Sequence, residues 1–386
     1  MIPSRSGPLL VYADGLDSPR SPPAVVAAAA GVDDDGLDVL LGWTPEARGW
    51  LSSPTLRGRT VMAGYALAGA VADGRVRYLP VRLSAMPRRL EQDFRPDIAV
   101  VTGVRRGREL VFGASVGWGP AAARAADRVV VEVDAEGADL GGAPIPGRIV
   151  ATVPRPTAGE AVPTPRRPTA VEDRIAATLV GLLPDEPTLQ FGPGGIFEAI
   201  MAALDRPVHI WSGVVTDGLA ALDERGLLLG PATAAYVWGG RPMAELAGRG
   251  KLNLRGVEET HDLGRIAGID RFVGCNTALQ VGLDGAVNVE RVGGRLVAGI
   301  GGHADFCAAA SLSMGGLSVI AVPSTTRAGA STIVPTVETV STPRCDVGLV
   351  VTEHGVADLR GVDDAERARR LVAVAAPEHR AGLAGR

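Results

Sequence analysis

Lysine is almost missing from this chain. Of its 39 cationic residues only Lys251 is a lysine, the rest being arginine. Nothing beside Lys251 in the sequence argues for a Schiff base, which rules out most lysine-based chemistry. Cysteine is scarce as well. Cys275, Cys307 and Cys345 are widely spaced and odd in number, with no CxxC pair and no metal-ligand spacing. A reducing, cytoplasmic compartment and no metal centre are expected. No charge excess of one sign exists either. The net charge is −4 and no basic cluster forms a face, which argues against nucleic acid as a partner. The apolar run at 24–30 is far too short to cross a bilayer, and Pro3, Pro8 and the acids at 14–17 interrupt any secretory signal. No membrane association is expected. The chain also lacks a GxSxG elbow and a GxxxxGK[ST] loop, which removes serine α/β-hydrolase and NTP-hydrolysis readings.

What is present is a folded composition: 386 residues, 46% hydrophobic and 21% charged, enough for two domains with a core each. Short apolar or β-branched runs at 9–13, 37–41, 76–83, 98–102 and 129–133 alternate with alanine-rich segments at 23–30, 63–72 and 120–126. Such alternation predicts an α/β fold, an open and mostly parallel sheet with helices on its faces. Residues 154–169 then change character, with five prolines and three arginines. The expected division is an N-terminal α/β domain at 1–153, a proline-rich linker at 154–170 and a C-terminal domain at 171–386. The second part repeats the alternation, with helices expected at 171–182, 196–204, 218–225 and 365–375. Strands are expected at 188–191, 209–212, 234–238, 317–322 and 346–351.

The stretch 274–306, GCNTALQVGLDGAVNVERVGGRLVAGIGGHADF, carries the densest signal. Its pattern predicts two short strands about an Asp284-Gly285 turn, then a glycine-rich turn and an alanine-rich helix. Alternation places Leu279, Val281 and Leu283 on one side and Ala278, Gln280 and Gly282 on the other. Gln280 is thus a polar residue flanked by small ones, with room above it. The turn at Gly299, Ile300, Gly301 and Gly302 would offer backbone N–H groups to developing negative charge. It also fits the loose pattern GxGxxA. The acidic residue that a dinucleotide site needs about 20 positions later is absent, 324–327 reading STTR. A second glycine turn, Gly192 to Gly195, follows a strand and opens a helix. Of the five histidines, His303 lies in the glycine turn and is the one expected near chemistry, while His209 reads as a core residue of an apolar strand. Glu353-His354 ends a strand, where α/β sheets collect ligands.

These residues resemble the acetyl-CoA hydrolase/transferase family, the class I CoA-transferases that include 4-hydroxybutyrate and succinyl-CoA:acetate CoA-transferases. The resemblance rests on TLQFGPGGIFEAI (188–200), VVTDGLAAL (214–222), NTALQVGLDGAVNVE (276–290) and GIGGHADF (299–306). PSTTRAGASTIVP (323–335) and RCDVGLVVTEHGVADLRG (344–361) continue it, and RYLPVRLSAMP (77–87) extends it loosely into the first part. It implies two open α/β domains with a site in the cleft between them, acyl-CoA and a small carboxylate as substrates, and a homodimer. It also implies a glutamate that attacks the thioester, with the GIGG turn holding the oxyanion. Catalytic candidates are therefore Gln280, Gly301, Gly302 and His303. Candidates for holding coenzyme A are Gly192, Gly194, Gly195, Asn276, Gly299, Ile300, Ser324 and Glu353.

The chain departs from the family at its centre. Gln280 stands where the family has its glutamate, and a neutral amide is a poor nucleophile. Thr332 stands at a common arginine position and His354 at a usual tyrosine, and the family's leading helix is not expected before the first strand. Three readings stay open: altered chemistry such as hydrolysis with Gln280 orienting water; a substitute acid among Glu258, Glu259, Asp284, Glu290 and Asp305; or a binding protein without turnover.

Overall fold

The computed structural model describes residues 7–157 and 166–385, so the middle of the proline-rich linker lies outside the described residues. The chain forms two compact units. One comprises Met1–Pro163, Thr233–Thr260 and Val297–Gly301; the other comprises Thr164–Ala232, His261–Leu296 and Gly302–Arg386.

In the first unit, strands β1 (Leu9–Tyr12), β2 (Asp38–Leu41), β3 (Gly58–Thr60), β4 (Val76–Tyr78), β5 (Ile98–Arg106), β7 (Arg128–Val133) and β8 (Ile149–Pro154) form one parallel sheet. Their order is β4-β3-β2-β1-β5-β7-β8, and β6 (Glu109–Phe112) folds back antiparallel onto β5. Every residue of β1, LLVY, is buried, as a strand covered on both faces requires. The helix Pro23–Ala30 has proline in its first turn, where no N–H is needed, and closes on Gly31 in the left-handed region at φ 67°. Chain from far downstream completes the unit. In β11 (Ala232–Trp238), Tyr236 donates its hydroxyl to Asp14 Oδ2 at 2.6 Å, and Ala235 O accepts from Val116 N at 2.9 Å.

The second unit repeats the plan. Strands β9 (Thr188–Gln190), β10 (His209–Thr216), β13 (Phe272–Asn276), β18 (Leu317–Ala321) and β20 (Leu349–Thr352) run parallel in the order β10-β9-β13-β18-β20. β21 (Gly355–Asp358) closes the edge antiparallel. Its first helix, Ala170–Leu182, starts with a capping box in which Thr169 and Glu172 each satisfy the other's backbone N–H. Between β13 and β18 the chain builds a small sheet of β14 (Gln280–Gly282), β15 (Val287–Asn288) and β19 (Ile333–Val334). A two-stranded ribbon of β16 (Arg291–Val292) and β17 (Arg295–Leu296) follows. Val281, Val287 and Ile333 of the small sheet share a buried cluster with Cys307, Ile320, Val350 and Leu371, so its orientation is fixed by the core beneath it.

The fold is thus the expected open, mostly parallel α/β type. Several local expectations shift for identifiable reasons. The run 76–83 stops as a strand at Tyr78, and Leu83–Ala85 is a 3₁₀ turn; Pro80 supplies no N–H to continue a ladder. The strand expected from residue 346 begins at Leu349, residues Arg344–Asp346 forming another 3₁₀ turn. His209 is exposed rather than in the core, because it is the first residue of β10 and the pleat turns it away from buried Ile210. The buried histidine is His261, at 1% exposure. Among the described residues, no helix is long and apolar enough to cross a membrane.

Candidate functional site in the second unit

Sequence order and sheet order part company between β9 and β13. From β9 the chain goes to β10 on one side, and β13, β18 and β20 add on the other. Loops leaving the carboxyl ends of strands diverge at such a point and leave a crevice. Here those ends carry residues picked out from sequence. Gly192, Gly194 and Gly195 follow β9, and Gly194 precedes the helix Gly195–Ala203. Asn276 ends β13, with Nδ2 donating to Gln190 Oε1 on the neighbouring strand at 3.3 Å. Ser324 follows β18 and Glu353 follows β20. They are joined directly, Ser324 N and Oγ donating to the two Glu353 oxygens at 2.9 and 2.7 Å. These bonds lower the Glu353 pKa although burial pulls it up. His354 lies beside it, Nε2 at 3.8 Å from Glu353 Oε1.

Gln280 opens the hairpin that leaves this edge. The turn at Asp284-Gly285 sets the register: Gln280 faces Asn288 and Val281 faces Val287. Gly285 takes φ 92°, and Asp284 Oδ1 accepts from Ala286 N at 2.9 Å, the chemistry such a turn demands. Facing Gln280, Asn288 is fully buried and fully bonded. Its Nδ2 donates to Gln280 Oε1 and to Arg291 O, each at 2.7 Å, and its Oδ1 accepts from Glu290 N and Arg291 N at 2.9 and 3.0 Å. The Gln280 amide is therefore oriented: its oxygen faces Asn288 and its nitrogen faces Glu338 Oε1, 3.5 Å away.

Glu338 was not among the substitute acids suggested by sequence. It lies 58 residues beyond Gln280 and arrives through the loop after β19. The turn between β16 and β17 gives it two donors, Gly293 N and Gly294 N, both at 2.8 Å, which hold its pKa below the usual carboxylate value. The suggested acids in this unit serve elsewhere. Asp284 caps the hairpin turn, Glu290 accepts from Ser341 Oγ at 2.6 Å, and Asp305 is buried in the helix His303–Leu312. Glu258 is paired with Arg124 in the first unit at 2.6 Å. Thr332 is buried and donates to Pro323 O at 2.6 Å.

His303 starts the helix His303–Leu312 and reaches back to the end of β13. Its Nε2 lies 3.0 Å from Thr277 O and its Nδ1 2.8 Å from Thr342 Oγ1. A carbonyl can only accept, so Nε2 carries the proton and Nδ1 accepts from the threonine. Desolvation lowers the imidazole pKa to about 4, so the ring is neutral at pH 7 and both nitrogens are engaged. Gly302 is required by close approach: a Cβ there would lie 2.5 Å from His261 Nε2 and 2.9 Å from Phe306 Cε2. Gly299, Ile300 and Gly301 belong to the first unit. There Ile300 N donates to Tyr78 Oη at 3.3 Å and Gly301 O accepts from Leu83 N at 3.4 Å. The neighbouring thiols are inert, burial pushing Cys275 and Cys307 up to about 12. Among the described residues no group of three or more metal-ligating side chains forms.

Burial of His261 makes a pH prediction. Desolvation lowers its pKa from 6.5 to about 3. Below pH 6.5 the unfolded chain therefore takes up a proton that the folded chain refuses, and stability falls as pH falls toward 3. His303 acts in the same direction down to about 4. Asp14 opposes them, since burial raises it to about 6; its folded form binds the proton first and gains stability as pH drops through 6. The His261 contribution is about 1.4 kcal/mol per pH unit below 6.5. Urea unfolding at pH 7.0, 6.0 and 5.0 should show a shallower pH slope in His261→Gln than in the unaltered chain. Parallel slopes would refute a neutral buried imidazole.

Two open, mostly parallel α/β units, the second with polar side chains gathered at the carboxyl edge where strand order reverses, define an α/β protein of the open-sheet class. Comparison with known proteins names the family. The acetyl-CoA hydrolase/transferase N-terminal domain matches residues 39–143 and the C-terminal domain matches residues 242–386; the chain belongs to the acetyl-CoA hydrolase/transferase family. It is 32% identical over 228 residues to a 4-hydroxybutyrate coenzyme A transferase of Clostridium kluyveri, covering 55% of this chain and 53% of that one. An acetyl-CoA hydrolase of Eremothecium gossypii is 28% identical, over 93% of this chain and 81% of the relative. The matches to the transferases of Clostridium kluyveri and Fasciola hepatica span about half the length of those proteins. Among solved structures, RipA from Yersinia pestis superposes with a TM-score of 0.82 at 26% identity, over 99% of this chain and 94% of that one.

Proposed function

We propose that this chain acts on the thioester carbonyl of an acyl-CoA, with Gln280 in place of the family's nucleophilic glutamate, so that hydrolysis or an altered acyl or CoA transfer replaces the covalent route. The observation that carries this reading is the orientation of the Gln280 amide. Asn288 holds its oxygen, and its nitrogen is turned toward ionised Glu338. That arrangement suits holding a water alongside both the amide and the carboxylate. In the proposed step the water oxygen bonds to the thioester carbon, the C–S bond breaks, and the thiolate leaves as the second product. One water proton passes to Glu338 and onward to the thiolate. Backbone N–H groups of Gly301 and Gly302 are the proposed donors to the carbonyl oxygen, and neutral His303 braces the helix start behind them. Gly192, Gly194, Gly195, Asn276, Gly299, Ile300, Ser324 and Glu353 are the proposed coenzyme A contacts. No metal is invoked. A cytoplasmic homodimer using a small carboxylate as acceptor is the assembly proposed from the family.

A second reading has its own support. An amide cannot form the anhydride, and the Gln280 oxygen is already bonded, which suits a homologue that binds coenzyme A or acyl-CoA without turning it over. Free-thiol release from acetyl-, butyryl- and succinyl-CoA separates the two. Release without a carboxylate acceptor is the expected result. Tight coenzyme A binding with neither release nor acceptor-dependent exchange would replace the enzyme reading by the binding one.

A further inference from the structure

A cavity of about 640 Å³ lies wholly within the first unit, at the amino ends of β2, β3 and β4. This is the edge opposite the one where parallel sheets collect ligands. Its lining includes Arg57, Arg59, Arg75 and Arg77. The register explains why four arginines meet there. Gly58 faces Val76 and Arg59 faces Arg77 across adjacent parallel strands. Buried Gly58 and Val76 turn inward, so the residues on either side of each turn outward, in a two-by-two array. Neighbouring strands are ~4.8 Å apart and two residues advance the chain by about 6.6 Å. The array therefore has the footprint of a chain of two or three phosphates rather than one small anion.

Like charges directly opposite on a sheet destabilise it, and ion pairs offset two of the four, Arg75 with Asp73 and Arg59 with Asp38. Two of the guanidinium heads, those of Arg57 and Arg75, are steered by carbonyls, which fix direction and leave the charge intact. Arg57 Nη1 donates to Pro54 O and Leu56 O at 2.9 and 2.7 Å, and Arg75 Nη1 donates to Leu51 O and Ser53 O at 2.5 and 3.0 Å. Arg75 also pairs with Asp73, and Arg59 pairs with Asp38 while lying over the Phe94 ring at 5.4 Å. The Arg59 Nε is buried with no hydrogen-bond partner among the described residues. Arg77 is exposed. Asp34 and Asp38 are the acids in the lining.

One flat apolar surface completes the cavity. Trp50 lines it half-buried, its Nε1 fixed to Arg20 O at 2.9 Å and its ring 5.4 Å from that of Tyr12. A rigid indole beside clamped guanidiniums matches a ligand with a planar ring at one end and several negative charges at the other. We propose that this cavity binds a nucleoside di- or triphosphate, its phosphates across the arginine array and its base against Trp50. The proposal stands on the first unit alone and does not depend on the acyl-CoA reading.

Calorimetric titration of the full chain with ATP, ADP and pyrophosphate at low salt tests it. Saturable ATP binding is expected, weakened tenfold or more by Arg77→Glu and by Arg57→Gln, both exposed positions. Raising sodium chloride should weaken it further. Trp50→Leu should weaken ATP binding and leave pyrophosphate binding unchanged. ATP should bind equally well with coenzyme A present at saturation. No saturable binding to the unaltered chain up to millimolar ATP, or binding untouched in folded Arg77→Glu and Arg57→Gln, would overturn the proposal. Pyrophosphate binding as tightly as ATP would overturn the nucleotide assignment. Competition by coenzyme A would reassign the cavity to the thioester substrate and overturn a separate site.

Discussion

Gln280→Glu is expected to raise carboxylate-dependent coenzyme A exchange by at least about a hundredfold, since it supplies the nucleophile whose removal costs enzymes several orders of magnitude. The position is prepared for it. Asn288 Nδ2, 2.7 Å from the present amide oxygen, would donate to a carboxylate oxygen equally well. The obstacle is Glu338, whose Oε1 lies 3.5 Å from the amide nitrogen. Two carboxylates at that separation do not both ionise freely. Glu338 is stabilised as an anion by Gly294 N and Gly293 N, so the introduced group would bear the raised pKa. The exchange rate of the variant should therefore climb with pH above the usual carboxylate range. Adding Glu338→Gln should shift that limb to lower pH and raise exchange further. A glutamyl thioester at residue 280, reducible by borohydride, is the chemical signature to look for. A folded Gln280→Glu variant with no gain in exchange and no trapped adduct would dispose of the idea that residue 280 faces the thioester.

The second large effect concerns Asn288. Its four hydrogen bonds join the two strands of the hairpin to the chain that follows. Asn288→Leu keeps a side chain of similar size and removes them all, leaving Glu290 N and Arg291 N without their acceptor. Unpaired groups of this kind cost about 1–3 kcal/mol each when buried. A loss of about 2–4 kcal/mol is expected after partial relaxation toward water. Thiol release should fall more than stability does, because the Gln280 amide loses the bond that orients it. Guanidinium unfolding and initial rates on the same preparation check both. Unchanged stability would mean the hairpin is held by Val281 and Val287 alone. Unchanged rate in a destabilised variant would mean Gln280 needs no orientation.

The hairpin was the most legible part of the site. An Asp-Gly pair between two alternating runs marks the hairpin, but counting outward from Asp284-Gly285 would set Gln280 opposite Val289, and the observed pairing with Asn288 lies one residue off that count. The carboxyl-edge grouping was legible in part. Glycines after β9 and the acid after β20 mark strand ends, but the direct bond between Ser324 and Glu353 depends on β18 and β20 being neighbours, which no local pattern states. Glu338 was illegible for the same reason. It sits in a polar loop with no periodicity, and what gives it meaning is a pair of glycine N–H groups more than forty residues earlier. His261 was missed because an isolated histidine beside Thr260 and Asp262 carries no sign of burial. His209 was misplaced because alternation does not tell which end of a strand turns outward. The return of residues 233–260 to the first unit left no mark in composition, since a segment's own pattern does not say which unit it packs into.

That return governs the order of events during folding. The Asp14–Tyr236 hydrogen bond spans 222 residues, and closing a loop of that length costs about 5 kcal/mol of chain entropy before any contact compensates. Emerging from the ribosome, the leading strands must wait for Tyr236 while the intervening chain is still being made. Until then Asp14, buried in the finished protein, stays wet. Maturation of the amino-terminal half is thus paced by translation of the carboxyl-terminal one, and topologies this non-local fold slowly.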